Sequence, residues 1–594
     1  MRNVVTGGLA LAGLMLAGSA VWPQGFVMPS ETDAMSGRIM AERQEKLKAL
    51  TPVTDDLLRD PPDGEWVDWR RTYDGWGYSP LKQIDRGNVK GLQLAWSWSM
   101  ASGPTNGVPL VHDGVIFIQH YGDTLEALDA ATGDLLWRWQ RRVPRGVAAR
   151  QKRGIAIYGE NVYATTSDSK LIAVNMRTGE LTWEQQVGAD EKNYYISGSP
   201  MVVNGKVLIG TTGCATVQTG GCFISAFDAG TGKPLWRFNT TAQGEDAAGK
   251  SWNGLPPGKR LGGAVWTAGT YDKELNLVYF GVGQPYPWNA YARGTLPPKD
   301  APGVTNDALY TNSTLALNPD TGELVWYHQY LPNDSWDMDY SFERKIVEAR
   351  VDGRMRKLVV TSGKMAIVEA VDAETGEFVF AKDLGLQTLV TAIDPKTGEK
   401  TFDPRLEPVP GKTYTFCPHA GGARSWPASA YDPRLKRLFI PLQMHCAEYE
   451  PAAKADADMM AGVRWKILPP RNADGNFGRL DALDLESQDW AWKYETRAPQ
   501  STASLPTAGG IVFEGQFDRY FTAHDSRTGK LLWQARLEDV PNSYPVTYEV
   551  DGRQYVAVMT GSGGPYTSTW QGLIPDIRLP AQSGGALYVF ALPE

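Results

Sequence analysis

The chain has 594 residues, including 63 Gly, 21 Trp and 25 Tyr, with a net charge of −8 and a pI near 5.5. An acidic balance without a long basic run speaks against nucleic acid as a partner and suits a soluble basic one, such as a small cationic electron carrier. Length alone suggests about four domains, but Gly and aromatic richness with few long helical patterns points to an all-β chain with many turns.

The chain begins MRNVVTGGLALAGLMLAGSA. A positive Arg2, an apolar stretch to Leu16 and small residues up to Ala20 read as a secretory signal over 1–20. The apolar run is too short and too rich in small residues for a membrane anchor, and no later segment reads as a bilayer span. Residues 21–60 read as an N-terminal extension and 61–594 as a single domain. Export to an oxidising compartment, the periplasm, lets cysteines pair. Cys214, Cys222, Cys417 and Cys446 form two local pairs, which favours bridges 214–222 and 417–446 among the three possible connectivities. No Cys-x-x-Cys-His occurs, so no haem attachment is expected on this chain. Six His without ligand spacing speak against a zinc enzyme.

One pattern then recurs: Ala-x-Asp/Asn-x-x-Thr-Gly-x-x-x-Trp. It starts at Ala127, Ala173, Ala226, Ala316 and Ala523, and more loosely at Ala370 and Ala482. The spacing is about 45 residues, stretched twice by insertions, which marks a β-propeller built of repeats. Asp and Thr-Gly make a tight turn, the small Ala allows neighbours to approach, and the Trp is an apolar plate between units. Seven copies are visible. An eighth is expected from the two ends, LQLAWSW with Trp96 and Trp98 against GGALYVFAL, which would close the ring and remove the free edge. A further look-alike from Ala392 lacks the Trp and follows too closely, so it reads as a hairpin in an insertion.

RGIAIYGENVY, GGAVWTAGTYDKELNLVYFGVGQPYPWN, SWDMDY, CPHAGGARSWPASAYDP and MHCAEYEP follow in that order. With these stretches and the tryptophan repeat, the chain resembles the pyrroloquinoline quinone (PQQ)-dependent alcohol dehydrogenases of the methanol dehydrogenase type. The resemblance runs from RTYDGWGYSPLKQI to the C-terminal GGALYVFAL and implies an eight-bladed all-β propeller with PQQ at its centre. It implies a metal ion, Ca²⁺ or a lanthanide, polarising the quinone, and an alcohol substrate whose hydride goes to C5 of PQQ.

On that resemblance, Asp337 matches the catalytic base and a metal ligand. Asp339 matches an extra aspartate of the lanthanide-using members, since a trivalent hard cation wants more anionic oxygen. A solvated acidic loop is the plain alternative for SWDMDY. Arg153 matches an arginine binding a PQQ carboxylate, Thr166 a threonine bonding the cofactor, and Trp266 the tryptophan under its ring. Lys364 matches a cation at the quinone oxygens. Trp426 matches a cofactor contact, and Ser425 stands where Asn is usual.

The chain also departs from the pattern. Val147 and Ala148 replace a vicinal Cys-Cys. TTGCATVQTGGCF carries no acid where a glutamate ligand is expected, Gln284 replaces an asparagine ligand, and Asn106 replaces a glutamate beside PQQ. The implied enzyme oxidises an alcohol bulkier than methanol, primary or secondary, and passes electrons to a separate soluble cytochrome c. A homodimer is compatible with it. The competing readings are an inactive propeller serving as a binding or assembly scaffold and a hydrolytic or lectin-like propeller. The latter finds no Gly-x-Ser-x-Gly motif in its support.

Overall fold

The computed structural model describes residues 30–188, 194–215, 220–455, 461–471, 474–563 and 567–594. The signal segment expected over 1–20 lies outside them. Residues Leu50–Glu594 form one compact unit, and the helix Ser30–Ala49 belongs to the other. No helix among the described residues is long and apolar enough to cross a membrane.

The compact unit is built mainly of four-stranded antiparallel meanders, most from strands consecutive in sequence and two interrupted by strands of smaller sheets. Eight such sheets occur among the described residues. One sheet joins the two ends of the unit. There Gln93–Met100 pairs antiparallel with Gly585–Ala591, which pairs on with Arg553–Thr560 and Val546–Val550. In the sheet beginning Leu110–His112, the middle strand Val115–His120 is buried along its whole length. The outermost strand, Leu135–Gln140, is only partly so. That is the pattern of sheets packed face to face, with one edge towards water.

The repeated Trp does more than fill space. Its indole N–H donates to a backbone carbonyl of the next unit: Trp137 to Met176, Trp183 to Ala229, Trp236 to Pro319, Trp326 to Ala373 and Trp492 to Ser526. Trp96 does the same to Ala130, and Trp533 reaches back to Leu92 near the start of the unit. The plate covers the Thr-Gly turn of its neighbour. A Cβ on Gly133, at φ +79, would stand 2.5 Å from the Trp96 ring. The motif's Gly is therefore required twice, for its conformation and for the indole above it. Where the sixth repeat has Gln488 in place of Gly, the preceding repeat carries Phe380 in place of Trp.

The sequence from Ala392 does form a hairpin in an insertion, with Val390–Ile393 paired to Lys400–Phe402. Its Phe402 stacks on Trp336 at 4.9 Å and 9°. A second insertion pairs Tyr414–Phe416, Cys446–Pro451 and Val463–Leu468. The disulfides are Cys214–Cys222 and Cys417–Cys446, as the local pairing suggested.

Candidate active site

The run following the strand Leu324–Gln329 is not a solvated acidic loop. All four of its acids, Asp334, Asp337, Asp339 and Glu343, are buried. Two of them organise the backbone. Asp334 accepts from the amides of Trp336 at 2.8 Å and Met338 at 2.7 Å, and from Asn312 Nδ2 at 3.0 Å. This carboxylate staple holds the intervening Asp337 at φ +63, a left-handed conformation costing a non-glycine residue about 1–3 kcal/mol. Glu343 takes the Arg424 guanidinium, Lys345 Nζ at 2.8 Å and the Ser429 amide and hydroxyl at 2.9 and 2.6 Å. These partners hold its carboxyl down at about 2 against the pull of burial.

Lys364 joins the other two acids. Its Nζ lies 2.8 Å from Asp337 Oδ2 and 2.6 Å from Asp339 Oδ2, and its amide donates to Asp339 O at 3.0 Å. Asp339 Oδ1 accepts the Gln284 amide at 2.9 Å. Burial raises the Asp337 carboxyl well above the usual carboxylate range. Lys364 opposes that rise, and the nearby Asp339 and Asp334 add to it.

These groups border a cavity of about 620 Å³. Asn106, Arg153, Trp266, Gln284, Asp337, Lys364, Ser425 and Trp426 all line it, as does Cys214. Asp339 is fully buried behind the wall and acts on the cavity through Lys364 and the Gln284 backbone. Thr166 is elsewhere. Its hydroxyl donates to Asp168 and accepts the Lys170 amide, closing a turn away from the cavity. A hydroxyl that lines the cavity beside Arg153 is that of Ser197, which accepts from Arg153 Nη1 at 2.8 Å. Tyr286 and Trp288 sit in the same run as Gln284 and line the cavity too. Trp570, on the helix Thr567–Leu573, had no motif to mark it.

The donor set has a clear chemical preference. Arg153 and Lys364 stand 5.8 and 5.2 Å from the centroid of the Trp266 ring, and Trp266 is fixed edge-on by Phe342 at 5.7 Å. An aromatic plate with two cations close to it suits a flat anionic ring. Asp337 Oδ1 and Gln284 Oε1 are buried oxygens without a hydrogen-bond partner among the described residues. Two such oxygens at one cavity suit a hard cation, which binds carboxylate and amide oxygen. The residues present therefore fit both a planar carboxylated cofactor and a metal ion.

Comparison with known proteins agrees with this geometry. Residues 66–382 and 471–556 match the PQQ family described as glucose/ethanol/alcohol dehydrogenase, beta-propeller domain. The quinohemoprotein alcohol dehydrogenase ADH IIB of Pseudomonas putida is 36% identical over 555 residues, covering 89% of this chain and 78% of that protein. Among solved structures, the quinohemoprotein alcohol dehydrogenase ADHIIG from Pseudomonas putida HK5 superposes with a TM-score of 0.82 at 32% identity, covering 91% and 82% of the two chains. A europium-containing methanol dehydrogenase superposes with a TM-score of 0.81 at 26% identity, covering 91% of this chain and all of the other.

Proposed function

This chain belongs to the family of PQQ-dependent alcohol dehydrogenases, and on that premise we propose that Asp337 is its general base, working beside a hard cation held by Asp337 and Gln284. The observation that carries the reading is the pair of unpartnered buried oxygens, Asp337 Oδ1 and Gln284 Oε1, at a cavity floored by Trp266. PQQ, when bound, supplies the quinone that accepts the hydride from the carbinol carbon and carries the electron pair away.

The chain's own residues do the rest. Trp266 offers the ring face, while Arg153 and Lys364 offer cations to carboxylates and quinone oxygens. Asn106, Ser425 and Trp426 complete the lining. Asp337 takes the hydroxyl proton of the alcohol through Oδ1. Burial raises its affinity for protons, and a cation bound beside it would oppose that rise and keep it ionised as a base. Lys364 keeps Oδ2 engaged at 2.8 Å, so the free oxygen points one way only. Asp339 stabilises Lys364 and sets the Gln284 backbone. Joining the cation itself would require Asp339 to exchange its lysine contact for the metal, a move that suits a trivalent ion better than Ca²⁺.

The eight four-stranded sheets are read as eight blades, closed into a ring where Gln93–Met100 pairs with Gly585–Ala591. The aromatic wall of Trp288, Phe517 and Trp570 supports an alcohol bulkier than methanol, primary or secondary, oxidised to an aldehyde or ketone. Two disulfides and the signal-like start support a periplasmic setting. With no Cys-x-x-Cys-His in the sequence, electrons are proposed to leave to a separate cytochrome c. The test is reconstitution. The purified protein is given PQQ with Ca²⁺ or La³⁺, and dye reduction is followed over a panel of primary and secondary alcohols. PQQ- and metal-dependent turnover supports the reading. No turnover with any metal overturns it.

A further inference from the structure

The Cys214–Cys222 disulfide spans two backbone segments that flank a single residue, Gly262. The Gly262 amide donates to Cys214 O at 2.8 Å, and the Cys222 amide donates to Gly262 O at 3.0 Å. Gly262 thus sits between the two half-cystines. On its other side it pairs in register with Pro285, while the Gly263 amide donates to Gln284 O at 2.9 Å. The fit is tight. Gly262 has φ +97, and a Cβ there would stand 2.4 Å from Gln284 O. The Gln284 amide is fixed from the opposite direction by Asp339 Oδ1 at 2.9 Å. Both cysteines are buried, and Cys214, Gly262 and Gln284 line the same cavity.

We propose that the Cys214–Cys222 disulfide is a positioning device for the metal site, holding the Leu261–Gly262 and Pro285–Tyr286 ribbon so that Gln284 Oε1 stays aimed into the cavity. The inference rests on the reading of Gln284 as a metal ligand. Its physical reason lies in what the disulfide-bearing loop lacks. The run from Thr211 to Phe223 contains no carboxylate, so a cation there draws on the neutral amide of Gln284 instead. Ordering a Gln side chain already costs it rotamer entropy. A backbone free to shift would weaken the ligand further. Clamping Gly262 removes that freedom without placing a charged side chain in the wall.

The test is a terbium(III) titration of the PQQ-loaded protein, read by sensitised lanthanide emission, in a cycle of four proteins. These are wild type, Cys214→Ser with Cys222→Ser, Gln284→Ala, and all three substitutions together. Loss of the disulfide is expected to weaken binding about 10–100-fold, as removal of supports behind a ligand does. In the Gln284→Ala background the same loss is expected to add less than about two-fold, because the two act through one atom. Wild-type affinity in the disulfide variant, with weakened affinity in Gln284→Ala, overturns the positioning role and leaves the proposed function standing. Wild-type affinity in Gln284→Ala overturns the ligand reading itself. Fully additive losses also overturn the inference, since the disulfide would then act elsewhere. Gly262→Ala keeps the disulfide but pushes a methyl group at Gln284 O. It is expected to weaken terbium binding in the same way, and it decides the matter where the cysteine variant does not fold. Unchanged affinity in Gly262→Ala counts against the proposal.

Discussion

Lys364 Nζ lies 2.8 Å from Asp337 Oδ2, and both side chains are almost completely buried. The same ammonium group reaches Asp339 Oδ2 at 2.6 Å, so one cation holds two carboxylates inside the protein. Removing it leaves two buried acids without a counter-charge. Lys364→Met is expected to destabilise the fold by about 3–5 kcal/mol in urea unfolding, the range seen when one member of a buried pair is lost. Lys364→Arg keeps the charge and is expected to recover most of that loss. Equal stability of wild type and Lys364→Met would show that the three groups do not depend on one another.

Asp334 is expected to matter for rate although it never meets the cavity. It staples the Trp336 and Met338 amides and so keeps Asp337 at φ +63. Asp334→Ala releases that strain and lets the base drift. The expected outcome is a kcat lower by about 10–100-fold, with PQQ affinity changed far less. Steady-state kinetics beside a PQQ titration separate the two effects.

Much of this was legible in the sequence, and the reasons differ by residue. The tryptophan repeat could be read because one short motif carries both partners of each docking contact, the Trp and the Gly beneath its neighbour's indole. Asp337, Arg153, Trp266 and Gln284 could be matched because they sit in short runs of distinctive composition. Asp334 and Glu343 could not be assigned. A carboxylate that staples two amides looks, in sequence, like any loop acid, and Glu343 has Arg424 as a partner 81 residues away. Thr166 is matched through the family resemblance alone, and only the fold shows that the hydroxyl meeting Arg153 is that of Ser197. The link from Cys214 through Gly262 to Gln284 is made of backbone hydrogen bonds, which leave no trace in side-chain pattern.

Asp339 is expected to separate the two classes of cation. Asp339→Ala removes a carboxylate from behind Gln284 and Lys364, and with it the extra anionic oxygen that a trivalent ion prefers. La³⁺-supported activity is expected to fall more than Ca²⁺-supported activity. Equal losses with the two metals would mean that Asp339 serves only the lysine.

Glu514 gives the fold a pH dependence independent of the metal site. It is fully buried and accepts from the Thr502 and Ser504 hydroxyls, and burial outweighs these bonds and the nearby Arg70 charge to raise its carboxyl from 4.5 to about 8. The folded protein therefore keeps a proton that the unfolded chain sheds above pH 4.5. That contribution to stability is complete below the unfolded value and is lost as pH rises towards 8. Buried Asp68, raised to about 7, acts in the same direction. Glu514→Gln is expected to flatten the fall of Tm across this range, leaving the slope set by the other buried groups, Asp68 and Asp74 among them. Scanning calorimetry of the two proteins across that pH range checks it, and an unchanged slope would place Glu514 ionised in the fold.

The most direct test compares wild type and Asp337→Asn, each loaded with PQQ and Ca²⁺ or La³⁺, in single-turnover reduction of the cofactor by a primary alcohol. The expected result is that both bind PQQ, while the variant's chemical step is slower by about 10²–10⁴-fold, the contribution of a positioned base. A variant that binds PQQ and reduces it at the wild-type rate would contradict the assignment of Asp337 as the base.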